Sequence, residues 1–447
     1  MRLKKQLIRA AVCGAMLSMV GGVAVAQEGL EKAIIIKWSA KAKQERALGI
    51  IDPSATPARA LYDVRARYGV SLASMRTIAT GAEVLRVGRD TTDAELAALI
   101  ADLSADPAVE YAEEDVTLQH AFTPNDPMYN QQWHYFEATG GLNLPTAWDL
   151  TTGISTVRVG VIDTGFRPHA DLAANLVGGY DMISNATTAN DGGGRDSNAM
   201  DPGDSCNGSR SSWHGTHVSG TVAARTNNGL GVAGVAFNAR VVPIRALGRC
   251  GGSLSDIADA IIWGSGGTVA GVPANANRAR VLNLSLGGGG ACSNTLRNAV
   301  SSAVGRNTVV VVAAGNSNIN ASNATPANCP GVITVAATGR NGGKASYSNF
   351  GSIVDVAAPG GSAGTGNGVL STLNSGATAP GQDSYAFYQG TSMATPHVAG
   401  VVALMLSRNS ALTPAQVEAR LESTARAFPA TCSQCGAGIV NARAAIQ

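Results

Sequence analysis

The run Val159-Gly160-Val161-Ile162-Asp163-Thr164-Gly165 is a short apolar segment that ends on an aspartate and a turn. Comparable runs, rich in Val and Ile, recur along the second part of the chain and alternate with segments of helical periodicity. This alternation predicts an α/β fold, a parallel sheet with helices on both faces. We predict strands at 157–162, 240–244, 281–286, 308–313 and 332–336, and helices at 216–225, 254–263, 293–304, 393–407 and 414–423.

Charge separates this module from the sequence before it. Of the 94 residues from 27 to 120, 26 are charged, whereas only 34 of the 327 residues from 121 to 447 are. The net charge of +2 provides no strong basic field, so we expect no nucleic-acid partner. The earlier module predicts a small α+β domain with strands at 33–38 and 83–87, helices at 56–68 and 91–103, and an extended acidic tail at 109–115.

The first 26 residues predict export. Four basic residues precede an apolar run from 10 to 25, and Ala24-Val25-Ala26 is an A-x-A cleavage pattern. A membrane anchor is the alternative, but the apolar run is short and is interrupted by glycine and serine. We therefore expect a signal peptide at 1–26 and a secreted mature protein, extracellular or periplasmic, with no membrane partner.

Export also affects the interpretation of the cysteines. An even set of six in an oxidising compartment favours three disulfides over metal ligation. Cys432-x-x-Cys435 alone suggests a redox pair, but no strand-then-helix pattern surrounds it, which favours a small stapled loop. The six are Cys206, Cys250, Cys292, Cys329, Cys432 and Cys435.

Three residues that can activate a hydroxyl stand at strand ends or helix starts of the large module. They are Asp163, His214 and Ser392. A serine hydroxyl becomes a nucleophile when an imidazole takes its proton, and a carboxylate fixes the tautomer of that imidazole. Each residue alone is more often a cap, a turn or a structural histidine. Together, in the order Asp, His, Ser, they predict acyl transfer.

Other residues imitate functional sites. His217 follows His214 by three positions like a zinc pair, but no H-E-x-x-H is present, so we expect a structural histidine. GGSAG (360–364) matches G-x-S-x-G, but a flexible loop and no helix follows it. His397 comes after Pro396 within a predicted helix and is expected to be buried.

Five motifs together resemble the subtilisin-like serine proteases, or subtilases. They are VIDTG (161–165), HGTHV (214–218), NLSLGG (283–288), AAGN (313–316) and GTSMATPHVAG (390–400). The resemblance covers residue 125 to the C-terminus and implies a secreted serine endopeptidase. It implies that Asp163 orients His214, that His214 is the general base and acid, and that Ser392 is the nucleophile. The side chain of Asn316 and the N–H of Ser392 would then bind the oxyanion.

The resemblance also identifies two segments that flank an extended peptide substrate. The S1 pocket would be lined by 313–315 and 324–327, and these small, uncharged walls favour an apolar P1 residue. Plain glycine-rich turns are the alternative for the flanking segments. The expected substrate-binding residues are Ser285, Leu286, Gly287, Gly251, Gly252, Ser253, Ala313 and Gly315.

The small module resembles the subtilase propeptide. We therefore expect residues 27–120 to act as folding chaperone and intramolecular inhibitor, with the tail 109–115 in the cleft and autocatalytic cleavage between 115 and 124. A permanently attached accessory domain is the alternative. Catalysis would belong to residues 121–447, acting as a monomer on protein or peptide substrates, and no further domain is expected after the helix at 414–423.

A structural calcium ion is the implied cofactor. The loop TNNGLGV (226–232) interrupts the helix that follows His214 and resembles the family's calcium loop. Hard cations take oxygen ligands, and this loop offers Asn228 and the carbonyls of Thr226, Leu230 and Val232. The resemblance assigns the carboxylates to Asp126 and Asp171. A plain helix-breaking turn is the alternative.

The chain departs from the smallest family members in two polar, glycine-rich stretches, 187–212 and 360–383. We expect the disulfide Cys292–Cys329 because both residues follow segments around S1, and Cys206–Cys250 because both lie in loops above one sheet edge. Cys432–Cys435 completes this pairing, one of 15 that six cysteines allow. Two rival functions remain open, a secreted binding protein without catalysis and an esterase or other acyl hydrolase.

Overall fold

The computed structural model describes residues 32–40, 42, 57–88, 91–116 and 122–447. The predicted signal peptide at 1–26 lies outside these residues, and so does the middle of the predicted processing segment, 117–121. The chain divides into two compact units between residues 120 and 121. No helix in the described ranges is long and apolar enough to cross a membrane.

The first unit contains a four-stranded antiparallel sheet in the order β2-β3-β1-β4. Its strands are β1 (Ala33–Trp38), β2 (Leu72–Thr77), β3 (Glu83–Val87) and β4 (Val109–Glu114), and its helices are Pro57–Tyr68 and Asp93–Ala105. The hydroxyl of Thr92 accepts the N–H of Glu95 in the capping box that begins the second helix. Strand β2 was not predicted, because it lies at a sheet edge with five of its six residues exposed and shows no alternation.

Seven parallel strands form the central sheet of the second unit, in the order β13-β12-β10-β8-β5-β7-β6. This confirms the predicted α/β class. The strands are β5 (Arg158–Asp163), β6 (Tyr180–Asp181), β7 (Arg240–Arg245), β8 (Val281–Leu284), β10 (Val309–Ala313), β12 (Ile333–Thr338) and β13 (Val356–Pro359). Two short antiparallel pairs join β9 (Gly288–Gly289) to β11 (Ala324–Thr325), and β14 (Val369–Asn374) to β15 (Asp383–Tyr388).

Helices cover both faces of this sheet. Successive side chains of a strand point to opposite faces, so Val309 and Val311 pack with the helices His214–Ala223 and Thr391–Arg408, which we name the histidine helix and the serine helix. Val310 and Val312 pack on the other face with Leu254–Gly264 and Asn294–Gly305. The other helices of this unit are Trp133–Phe136, Leu144–Trp148, Ala186–Ala189, Pro414–Thr424 and Ala442–Ile446.

Parts of the second unit differ from the sequence-based prediction. The histidine helix begins at His214 and not at 216, and the serine helix begins at Thr391 and not at 393, so each has a catalytic candidate in its first turn. The polar stretch 360–383 contains the buried strand β14, paired with β15 along its full length. The six cysteines are joined as Cys206–Cys250, Cys292–Cys329 and Cys432–Cys435.

Candidate active site

Asp163 and His214 form a hydrogen-bonded pair at the carboxyl end of β5. Asp163 is fully buried, and the Nδ1 atom of His214 lies 2.8 and 2.9 Å from its two carboxylate oxygens. Because a carboxylate only accepts, Nδ1 donates the proton and Nε2 remains an acceptor. Burial alone would lower the pKa of His214, but the charge and hydrogen bond of Asp163, with smaller contributions from Asp204 and Asp201, raise this pKa above its usual value.

The glycine after His214 allows a close approach between the histidine helix and the turn after Asp163. A Cβ atom on Gly215 would lie 2.1 Å from the carbonyl oxygen of Gly165. The N–H of Gly215 donates to the hydroxyl of Thr164 at 3.0 Å. Because position 215 has no side chain, the start of the histidine helix can lie close to the end of β5, and the imidazole of His214 can reach the carboxylate of Asp163.

Ser392 lies in the first turn of the serine helix and is linked to Ser285. Pro396 has no N–H, so the carbonyl of Ser392, four residues earlier, lacks the usual helical hydrogen bond. The hydroxyl of Ser285 donates to that carbonyl at 2.8 Å and accepts from Asn283 Nδ2 at 2.9 Å. In return, the hydroxyl of Ser392 donates to the carbonyl oxygen of Ser285 at 3.2 Å.

The amide group of Asn316 is oriented by Thr391. Its Oδ1 accepts the N–H and the hydroxyl of Thr391 at 2.8 and 2.9 Å, which turns Nδ2 toward the serine helix start. A Cβ atom on Gly390 would lie 3.4 Å from this Nδ2 and 3.6 Å from the backbone N of Ser392. Glycine at 390 thus keeps a side chain out of the space between two donors that could bind an oxyanion.

A cavity of about 380 Å³ opens beside Ser392 and Asn316. The predicted substrate residues Ser285, Leu286, Gly287, Ala313 and Gly315 all line it, with Ala324 and Thr325. No charged side chain of the described residues lines it. The cavity is therefore suited to an uncharged side chain.

The subtilase family model matches residues 155–438. The chain belongs to the subtilase family. An extracellular protease of Xanthomonas campestris is 58% identical over 402 residues, which cover 88% of this chain and 68% of that protein. An extracellular basic protease of Dichelobacter nodosus is 41% identical over 83% of this chain and 64% of its own length.

Thermitase of Thermoactinomyces vulgaris is 35% identical over 73% of this chain and its whole length. A solved protease of Pseudoalteromonas arctica superposes with a TM-score of 0.72 and 61% identity, over 73% of this chain and 99% of that one. The subtilase described here is thus an extracellular serine endopeptidase.

A second cavity of this subtilase, of about 430 Å³, is lined by Gly251 and Gly252. Its apolar walls come from Leu254, Ile257 and Leu286. Ser253, predicted with these glycines, is the N-cap of the helix Leu254–Gly264 and accepts the N–H of Asp256. Of these apolar residues, Leu286 was predicted, whereas Leu254 and Ile257 were not. Their signal was the i, i+3 spacing of Leu254 and Ile257 at a helix start.

Asp126 and Asp171, the predicted calcium carboxylates, lie together at the other end of the histidine helix. Asp126 accepts the N–H groups of Asn227 and Asn228 at 2.8 and 3.2 Å. Asp171 accepts Asn228 Nδ2 at 2.9 Å and the Val232 N–H at 2.8 Å. Within the described part of the chain, no basic group is among the neighbours that shift the pKa of either carboxylate. Burial raises the pKa of Asp171 to about 7, and the charge of Asp126 contributes to this rise.

His217 and His397, the other histidines singled out in the sequence, have structural contacts. His217 Nε2 lies 3.1 and 3.0 Å from the carbonyl oxygens of Val369 and Ala386, and burial lowers its pKa to about 3. His397 is buried, as expected, and its Nε2 lies 2.8 Å from Nδ1 of His134. These contacts support the structural interpretation of both residues.

Proposed function

We propose that this subtilase hydrolyses peptide bonds through Asp163, His214 and Ser392, with Asn316 Nδ2 and the Ser392 N–H as oxyanion donors. The pairing of His214 Nδ1 with both oxygens of buried Asp163 carries this proposal, because it leaves Nε2 as a base at the cleft. The link between Ser285 and Ser392 supports it, since it fixes the nucleophile beside the wall of the uncharged cavity.

The reaction begins when the Ser392 hydroxyl rotates from the Ser285 carbonyl toward His214. Nε2 takes the hydroxyl proton as Oγ bonds to the substrate carbonyl carbon, and Asp163 stabilises the imidazolium. The imidazolium then gives its proton to the leaving amine as the C–N bond breaks. Water then bonds to the acyl carbon as Nε2 takes its proton, and Nε2 returns this proton to Oγ as the ester bond breaks, which restores Ser392 and neutral His214.

An extended substrate would lie between the segments 251–252 and 285–287, paired by backbone hydrogen bonds. The cavity beside Ser392 would receive the P1 side chain. Because its lining contains no charge, we expect apolar or small neutral P1 residues in protein substrates.

Residues 27–120 would serve as a propeptide that the enzyme removes from itself. The division into compact units between residues 120 and 121 supports this boundary. The acidic strand β4 is an edge strand of its sheet and ends at Glu114, just before the expected cleavage window of 115–124.

Calcium would bind at Asp126, Asp171 and the loop 226–232. Two buried carboxylates without a basic partner among the described residues fit a divalent cation. The carbonyl oxygens of Thr226, Leu230 and Val232 accept no hydrogen bond from any described residue, which also fits. Asn228 would have to turn its amide, because its Oδ1 now accepts the N–H of Leu230. The ion would stabilise the fold and take no part in the proton transfers.

A fluorophosphonate probe tests the proposed chemistry. We expect it to modify Ser392, identified by peptide mass, and to stop cleavage of a protein substrate. Ser362→Ala is the matched control, because this serine has the G-x-S-x-G spacing and no proposed role. Modification elsewhere, or ester hydrolysis without peptide hydrolysis, would contradict the proposal.

A further inference from the structure

A third cavity, of about 370 Å³, lies directly beside His214. Both His214 and Ser285 line it, and so do Asp204, Arg210 and Ser212 of the predicted insertion at 187–212. It shares Ser285 with the P1 cavity and Gly251 with the apolar cavity. Successive side chains of an extended peptide point in opposite directions, so the residue before P1, P2, would turn away from the P1 cavity. This cavity is the place for that side chain.

The wall that the insertion contributes is held in place by several contacts. The disulfide Cys206–Cys250 joins it to the loop that contains Gly251. The N–H of Ser211 donates to the Ala377 carbonyl at 2.7 Å, and Trp213 Nε1 donates to the Gly376 carbonyl at 2.8 Å. The backbone of this wall is therefore a preformed part of the cleft, so its ordering adds little to the cost of binding a substrate.

Two charged side chains of the insertion, Asp204 and Arg210, line this cavity. Only Asp204 forms side-chain hydrogen bonds with described residues. The carboxylate oxygens of Asp204 accept the N–H and the hydroxyl of Ser212, each at 2.6 Å. Arg210 is exposed, and no described residue forms an ion pair or a side-chain hydrogen bond with it. Its guanidinium offers five donors in a planar fork that matches a carboxylate.

We propose that Arg210 makes this cavity a P2 subsite selective for acceptor side chains, above all glutamate and aspartate. The inference rests on the proposed function of the triad, since P2 is defined by the bond that Ser392 attacks. A bidentate arginine–carboxylate pair favours acidic side chains, and the same guanidinium repels lysine. Part of this preference is lost to solvent screening because Arg210 is exposed.

Four fluorogenic peptides that differ only at P2, as Glu, Gln, Ala or Lys, test the subsite on the mature enzyme. We expect kcat/KM for Glu to exceed that for Lys by roughly five- to ten-fold at low salt, and the ratio to shrink in 0.5 M NaCl. Arg210→Met keeps much of the side-chain length and should abolish the preference, and Arg210→Glu should reverse it. Arg408→Glu is the charge-matched control, at the far end of the serine helix, about 24 Å along the axis from Ser392.

The outcomes separate this inference from the function on which it rests. Loss of the preference in Arg210→Met and its reversal in Arg210→Glu, with Arg408→Glu unchanged, support the subsite. Equal rates for Glu and Lys in the wild type, with the Ala peptide cleaved and Ser392 labelled, overturn the subsite and leave the protease function in place. No cleavage of any peptide and no label at Ser392 would overturn both.

Discussion

An aspartate lies at each end of the histidine helix, Asp163 from the last position of β5 and Asp171 from the segment after it, and the two have different partners. At its start, Asp163 is paired with the imidazole of His214. Some 15 Å away at its other end, the side chain of Asp171 accepts hydrogen bonds only from neutral donors among the described residues, namely Asn228, Val232 and the hydroxyl of Tyr385. The first end combines a carboxylate with a titratable partner, which suits proton transfer. The second leaves negative charge uncompensated, which suits a metal ion.

The largest expected effect belongs to the catalytic end. Ser392→Ala should lower peptide hydrolysis by on the order of 10,000-fold or more, because the nucleophile is lost. The same variant should leave an exported, unprocessed precursor, detected by mass spectrometry of the purified protein. Ser362→Ala should mature normally. A mature chain that begins near residue 121 in the purified Ser392→Ala protein, with host proteases excluded, would show that maturation is not autocatalytic.

The next effect concerns the oxyanion donors beside this end. Asn316→Ala should reduce kcat on the order of 100- to 1,000-fold with little change in KM, a figure taken from subtilisin, a member of the same family. Asn323→Ala is the control, because Asn323 lines the same cavity without facing Gly390. Equal kcat values for the two variants would remove Asn316 from the proposed machinery.

At the other end the expected effect is on stability and not on rate. Chelation of calcium from mature enzyme inactivated with a serine-directed inhibitor should lower the melting temperature by roughly 5 °C, by linkage. Initial rates of active enzyme, measured before unfolding, should barely change. Magnesium should not restore the melting temperature, since it requires a tighter octahedral geometry. If the chelator leaves the melting curve unchanged and metal analysis finds no calcium beforehand, the proposed calcium site is wrong. The two ends of the helix would then not differ in this way.

The smallest expected effect is the pH dependence of catalysis. His214 must be neutral to take a proton, and its pKa is raised above about 6.5. We therefore expect kcat/KM to fall as pH falls through that raised pKa, and to reach its plateau at alkaline pH. Asp204→Asn removes a negative charge near the imidazole, so the midpoint should move to lower pH. A midpoint that stays in place would show that Asp204 does not contribute to the raised pKa of His214.

The sequence carries a local signal for the proposed catalytic end of the helix and none for the wall of the cleft that the insertion forms. Asp163, His214 and Ser392 were identified because a nucleophile, a base and a carboxylate each occur in a short motif at a strand end or helix start. Arg210 carried no comparable signal. Its place in the cleft depends on the fold of an irregular insertion and on a disulfide to residue 250, and neither produces a local period in the sequence.

The same distinction holds for the fold. Buried runs of Val and Ile predicted the central strands, because a parallel sheet covered on both faces is apolar throughout. Strand β14 was missed since it contains Ser371 and Thr372, whose hydroxyls donate to the carbonyls of His217 and Thr216 in the histidine helix. Polar residues that are satisfied only by tertiary contacts cannot be distinguished from loop residues in the sequence alone.

The bridge between Cys206 and Cys250 bears on how such an enzyme can diverge. It fastens the insertion to a loop at the rim of the cleft, while the sheet and the triad keep their own supports. Mutations of exposed residues in this segment, such as Arg210, can therefore be screened by selection while the sheet, Asp163 and His214 stay in place. An exchange of this bridged segment between related proteases would transfer a preference for particular substrates as a unit, which makes it a natural starting point for recombination and directed evolution.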